Sequence, residues 1–330
     1  MIDELDVALN DLYPVPAEDP EALRRVRVRV LKRKWPRVPL AAAAAVILAV
    51  AVAVVAIRGR TPDGAMVLVA QTLNTAADAP IQAVDEPVPA GKYRYIAVHS
   101  MAAVFQNSDL GALRGVKQEL WVPAERAGEW FRLETDTGER VPLLGTAEQL
   151  TAAGFDDRSA PIRETGPCGA FGPGISDMCT AKGTWQVPTA AFVAGLPRDP
   201  RKLFDRLRDD TDGRGRDADQ EVLVYVADAL RSGLIPADLR SALYRALAYL
   251  PTLKIVEERA TLDGRTGTAL GIAAAGERLE VIIDPVTGLY IGERTRRTTA
   301  ARGLPAGTLI QSSSVAYGVA EAPWKPAGHR

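Results

Sequence analysis

The chain has 330 residues, 47% of them hydrophobic and 25% charged, with a formal net charge of −1. That hydrophobic content supports a buried core, and the near-neutral balance excludes both chain-wide disorder and the basic footprint of a nucleic-acid-binding protein. An aromatic content of 6% is too low for a base-stacking platform, so no direct nucleic-acid partner is expected.

The charge is unevenly placed. Met1–Glu21 carries seven acidic residues and no basic one, whereas Ala22–Val38 carries eight basic residues (Arg24, Arg25, Arg27, Arg29, Lys32, Arg33, Lys34 and Arg37) and no acidic one. Removing these from the totals of 40 basic and 41 acidic residues leaves 32 and 34 in Arg58–Arg330, a net of −2.

Leu40–Ile57 is an unbroken run of Ala, Val, Ile and Leu. As a helix it reaches roughly 27 Å, close to the ~30 Å hydrocarbon core of a bilayer, and Trp35, Arg37, Arg58 and Arg60 can occupy the two interfaces. The basic cluster precedes the span, so the positive-inside rule leaves the N-terminus in the cytoplasm and sends the C-terminal part across the cell membrane. A cleaved secretory signal or a buried core helix is the alternative, but the apolar run exceeds a usual signal core and nearly forty residues precede it. The expected division is a cytoplasmic tail over 1–39, a transmembrane helix over 40–57, a stalk helix and linker over 58–90, and an extracytoplasmic domain over 91–330.

In the tail, Asp19-Pro20-Glu21 is a helix start, because Asp can cap free N–H groups and Pro is tolerated in the first turn. Leu23, Val26 and Val30 then share one face, although Arg25–Val30 also alternates with period two. Residues 19–34 are a docking helix for a cytoplasmic protein or anionic lipid, or else their arginines only set topology.

Beyond the span, Ala65–Ala77 is a helix pattern and Pro80–Pro89 an extended linker. Lys92–Val98, Lys117–Val122 and Glu129–Glu134 have strand patterns, the last two as partners. Helices are expected over Ala147–Ala153, Thr189–Gly195, Pro200–Arg208, Asp219–Ser232 and Ala237–Leu250. Leu253–Leu262, Thr266–Ala273, Arg278–Asp284, Leu289–Arg296 and Thr308–Val315 form an antiparallel meander joined at Asp263-Gly264, Gly276 and Thr287-Gly288. The fold class is therefore α+β, with two sheet segments and the preceding helices covering one face.

Cys168 and Cys179, the only cysteines, flank a Gly/Pro-rich loop on the exported side, where an oxidising compartment favours a disulfide. With His99 and His329 the only histidines, a His-rich metal site cannot form and a Ser/His triad would have to use His99. Asp210–Glu221 partly imitates a calcium loop, but Arg214 stands at its fifth place, and a solvated turn between helices is expected instead. No phosphate loop, nucleophile elbow or zinc-hydrolase helix occurs, so neither a cofactor nor an enzyme activity is expected.

Four phrases carry a resemblance: Pro89–Tyr95 (PAGKYRY), Glu119–Ala124 (ELWVPA), Leu196–Pro200 (LPRDP) and Ile283–Leu289 (IDPVTGL). In these the chain resembles a family of actinobacterial single-pass membrane proteins often encoded beside extracytoplasmic-function sigma factors. The resemblance implies a membrane-anchored signalling or envelope-sensing protein, a partner or regulator of such a sigma factor. It also implies a curved, half-barrel-like antiparallel sheet similar to lipoprotein-carrier and periplasmic stress-sensor domains. The alternative function is binding of a lipid or lipoprotein ligand outside the membrane. The tail lacks His and Cys, so the zinc-binding anti-sigma pattern is missing.

Overall fold

Three turns shape the C-terminal half. Asp263 and Gly264 have φ of 46° and 73°, and Ala275 and Gly276 have φ of 50° and 81°. Two successive left-handed residues make the tight hairpin turn whose twist matches that of paired strands. These turns join β5 (Lys254–Leu262), β6 (Arg265–Ala274) and β7 (Glu277–Ile283); a third turn, around Gly288, leads to β8 (Tyr290–Arg297), and β9 (Leu309–Ala320) follows. Upstream lie β1 (Tyr93–Phe105), β2 (Gly111–Pro123), β3 (Glu129–Leu144) and β4 (Ile162–Pro167). The computed structural model describes residues 64–79, 87–172 and 178–327.

The two strand groups form one sheet, in place of the two segments expected from sequence. Its order is β4-β3-β2-β1-β9-β8-β7-β6-β5, every neighbouring pair is antiparallel, and it is curved and unclosed. The join is β1 against β9, in register from Tyr93↔Ala320 to Ala102↔Gln311. It also explains why β1 runs past Val98: His99, Ser100, Met101 and Ala102 have weak strand preference, but β2 and β9 hold them from both sides.

Six helices complete the described residues: α1 (Gly64–Ala77), α2 (Ala147–Ala152), α3 (Ala190–Gly195), α4 (Pro200–Thr211), α5 (Ala218–Arg231) and α6 (Ala237–Leu247). Asp199 caps α4 by accepting from Lys202 N at 2.9 Å, with Pro200 in the first turn. Asp217 caps α5 by accepting from the amides of Asp219 and Gln220. The leucines at helical spacing, Leu203 and Leu207 in α4, Leu223 in α5, and Leu239, Leu243 and Leu247 in α6, are all fully buried in one core. That core lies on the inner sheet face against Leu270, Ile272, Val281, Ile283 and Val315.

The stalk expectation is corrected by α1. Val69, Leu73 and Ala76 are buried in the same core, Ser241 donates to Ala77 O at 2.8 Å, and Arg245 pairs with Asp78. Val69 and Leu73 fall four residues apart, a spacing that gives a helix a sticky side and so draws it onto α6. Pro62–Arg330 forms one compact unit. The segment Met1–Thr61, with Leu23, Val26, Val30, the eight basic residues and Leu40–Ile57, lies outside the described residues, as does most of the expected linker. Among the described residues no helix is long and apolar enough to cross a membrane.

The outer face is covered differently. Near β1–β3, Trp324 from the C-terminal segment packs on Trp121 and Phe131, with ring centroids 5.6 and 5.4 Å away, and Trp121 Nε1 donates to Lys325 O at 2.6 Å. On β7 and β8 the fully buried Glu280 accepts from Arg294 Nε at 2.5 Å and from Arg278 Nε at 2.6 Å, and Arg294 also reaches Glu257. Removing one partner of a buried pair costs about 3–5 kcal/mol, because a charge is left without compensation. Arg278 remains beside Glu280, so Arg294→Ala is expected to lose about 3 kcal/mol, measured by urea unfolding, while the apolar double replacement Glu280→Met/Arg294→Met restores most of that loss. Equal losses in both variants would contradict this balance of charges.

Candidate functional site: a cavity on the inner sheet face

The helices cover the β5–β9 half of the inner face more fully than the β1–β3 half. Strand alternation places Ile96, Val98 and Ser100 of β1 beside Leu120, Gln118 and Val116 of β2, and Leu120 and Gln118 beside Arg132 and Glu134 of β3. These side chains floor a cavity of about 650 Å³. Its far wall is the C-terminal end of α5 with the segment 186–190, and Cys168, Gly169, Phe171, Met178 and Cys179 complete its lining. Ligand pockets typically have about 300–1,000 Å³ and mainly apolar walls, and this cavity fits that class.

Cys168 and Cys179 are bonded, with Cα atoms 5.1 Å apart, as expected from sequence. Both line the cavity, together with Phe171 and Met178. Gly169, at φ 82°, lies flat on the Trp130 ring, where an added Cβ would come within 2.8 Å of it. Cys168 N donates to Gly128 O at 2.9 Å, so the disulfide loop is tied to the turn between β2 and β3. Gly233, just past α5 at φ 67°, allows the chain to pass against Ile96, which a Cβ would meet at 2.9 Å.

One end of the cavity is polar. Ser100 Oγ and Ser313 Oγ are 3.0 Å apart, Ser313 is paired in register with Glu293, and Arg231 bridges Glu293 and Asp228. Gln186 Nε2 donates to Asp228 Oδ2 at 3.0 Å, and the Tyr290 hydroxyl donates to Glu293. Burial pushes the Glu293 carboxyl up to about 7; Arg231 offsets part of this, but it is shared with Asp228, whose own charge adds to the rise. The Arg231 guanidinium is held above its ordinary value, since the two carboxylates outweigh the effect of its burial.

The other sequence candidates lie elsewhere. His99 projects from the outer face, with Nδ1 2.8 Å from Asp263 Oδ2 and Nε2 2.8 Å from Glu139 Oε2, the latter without hydrogen-bond alignment. Ser100 faces the opposite side, so these neighbours form no nucleophile and base pair. Three acids of Asp210–Glu221 are engaged within the protein: Asp210 accepts from Trp185 Nε1 and Arg206, Asp217 caps α5, and Asp219 pairs with Arg208. Among the described residues no group of three or more His, Cys, Asp or Glu side chains is placed to hold a metal ion. Sequence reasoning missed the cavity-facing row Ile96, Val98, Val116 and Leu120; its signal was the period-two alternation already visible in β1 and β2.

Compared with known proteins, the chain matches no family model and no curated protein sequence.

A carboxyl whose folded pKa lies above its ordinary value contributes stability fully below that ordinary value, 4.5 here, and loses the contribution as pH rises to about 7. Glu293→Gln removes this dependence. Between pH 5 and pH 8 the stability of the natural chain relative to Glu293→Gln is expected to fall, on the order of 3 kcal/mol, in parallel urea titrations. A difference constant with pH would show that Glu293 titrates normally.

Proposed function

We propose that Pro62–Arg330 is the ligand-binding part of a membrane-tethered, envelope-sensing protein, and that it takes up the apolar chain of a lipid or lipoprotein. The observation that carries this reading is the cavity of about 650 Å³ floored by Ile96, Val98, Val116 and Leu120. Protein interiors are close-packed, so apolar space of this size beside a well-filled core is better suited to a ligand than to the fold itself. Each methylene withdrawn from water contributes about 0.8 kcal/mol, so a hydrocarbon chain could bind with few polar contacts.

In this proposal the curved, open sheet acts as a half-barrel, Leu40–Ile57 holds it near the bilayer, and the tail passes the ligand state to a cytoplasmic partner. Leu23, Val26 and Val30 would supply the apolar face of that contact, with a sigma factor as the partner implied by the family resemblance. The surrounding arginines would steer an acidic protein surface or hold the helix on anionic lipid.

An environment-sensitive fluorescent acyl probe, titrated into purified Pro62–Arg330, is expected to saturate at one probe per chain. Leu120→Glu sets a carboxylate on the cavity floor and is expected to weaken the probe by roughly tenfold or more, with the far-ultraviolet dichroism unchanged. Non-saturable uptake, or equal binding by Leu120→Glu, would overturn the proposal.

A further inference from the structure

Three arginines line the cavity, and two are already neutralised. Arg132 is held by Glu164, with Nε to Oε2 at 2.8 Å, and its guanidinium lies 4.6 Å from the centre of the Phe171 ring. Arg231 is held by Asp228 and Glu293. Arg126 differs from both: it lines the cavity as an exposed residue at the rim, partial burial of its guanidinium holds it below its ordinary value, and it has no carboxylate partner among the described residues.

The position of Arg126 is fixed by its backbone. It sits in the turn between β2 and β3, its carbonyl accepts from Trp130 Nε1 at 2.8 Å, and Gly128 N donates to Glu125 O at 2.9 Å. The loop is therefore tied to the cavity wall while the guanidinium is left available. Of the negative groups that line the cavity none lies in that turn; Glu125 and Glu129 flank Arg126 in sequence but are exposed and do not line the cavity. Glu134 is also without an ion-pair partner among the described residues and stands four residues beyond Trp130 on β3, about 13 Å along the strand. Asp228 and Glu293 belong to the polar end across from Ser100. Among the lining residues the unpaired positive charge, Arg126, stands at the β2–β3 turn, while the unpaired Glu134 and the Asp228 carboxylate beside Arg231 stand farther along, which disfavours an anion placed deep inside.

Resting on the cavity reading above, we infer that the ligand is a single-chain amphiphile with an acidic head group. The head is bound by the Arg126 guanidinium at the rim, and the chain runs along Leu120 and Ile96 toward Val98 and Val116. Arginine suits this task because its planar fork matches carboxylate and phosphate oxygens, and it stays charged at any physiological pH. One chain is specified because the space is that of a single drug-sized ligand. The exposed rim keeps the ionised head in water on one side, so the charge need not be fully desolvated.

The test uses the full chain in nanodiscs with three photoreactive probes bearing a mid-chain diazirine: a palmitic acid analogue, the matching fatty alcohol and a lysophosphatidate analogue. Cross-linked peptides are mapped and quantified in the natural chain, Arg126→Gln and Arg126→Lys. At least one acidic probe is expected to label the β1–β2 floor more strongly than the alcohol, and which one does so tells carboxylate from phosphate. Arg126→Gln is expected to lower that labelling roughly three- to tenfold without changing the alcohol, and Arg126→Lys to retain most of it. Equal floor labelling by acids and alcohol, or acid labelling unchanged in Arg126→Gln, would overturn the head-group inference and leave the apolar cavity reading standing. Absence of floor labelling by all three probes would overturn both.

Discussion

The structure turns on a mismatch between a long sheet and a shorter helical cover. Nine strands joined through β1 and β9 present one inner face, and α4, α5 and α6 with α1 fill that face mainly where β5–β9 lie. A sheet face that is apolar on alternate residues must be covered, and the described residues over β1–β3 are the end of α5, the segment 186–190, and Cys168, Gly169, Phe171, Met178 and Cys179. They roof the surface without filling it. The cavity follows from this, and the Cys168–Cys179 disulfide lies in its lining, where a crosslink restrains irregular chain.

The polar row from Ser100 through Ser313 and Glu293 to Arg231 and Asp228 marks where the filled core ends and the cavity begins. Charged groups at such a boundary are costly unless paired, and Arg231 is shared between two carboxylates, which leaves Glu293 incompletely compensated. The opposite face solves the same problem in another way. There Glu280 has two arginines, and the aromatic cluster around Trp121 is sealed by Trp324. The inner face is therefore where stability has been given up, and such sites are the ones in which proteins place binding functions.

Much of the C-terminal half was legible because its signals are local. Asp263-Gly264 and Gly276 appear as hairpin turns, and Pro200–Arg208 and Ala237–Leu250 as helices. The two cysteines were legible from their number and their loop. The single sheet was not, since the pairing of Tyr93–Ala102 with Gln311–Ala320 spans more than two hundred residues and leaves no local trace. Nor was β4, whose Gly166 and Pro167 read as loop chemistry until β3 supplies a partner. The burial of α1 was within reach from Val69 and Leu73, but small residues dominate that helix and its closeness to Leu40–Ile57 suggested a spacer. Alternation marks Ile96, Val98, Val116 and Leu120 as one face of β1 and β2, but not that this face is left unfilled, because a missing cover has no residue to announce it. Arg126 is conspicuous only once Arg132 and Arg231 are seen to be taken.

The central claim is that the space over β1–β3 is built to hold a hydrocarbon chain. It is tested most directly by a crystal structure of Pro62–Arg330 grown with a long-chain fatty acid. Continuous elongated density along Ile96, Val98 and Leu120, with the core of α4, α5 and α6 unchanged, is the expected result. A cavity closed by inward movement of Trp130 and Met178, with the fatty acid absent or bound elsewhere, would contradict it.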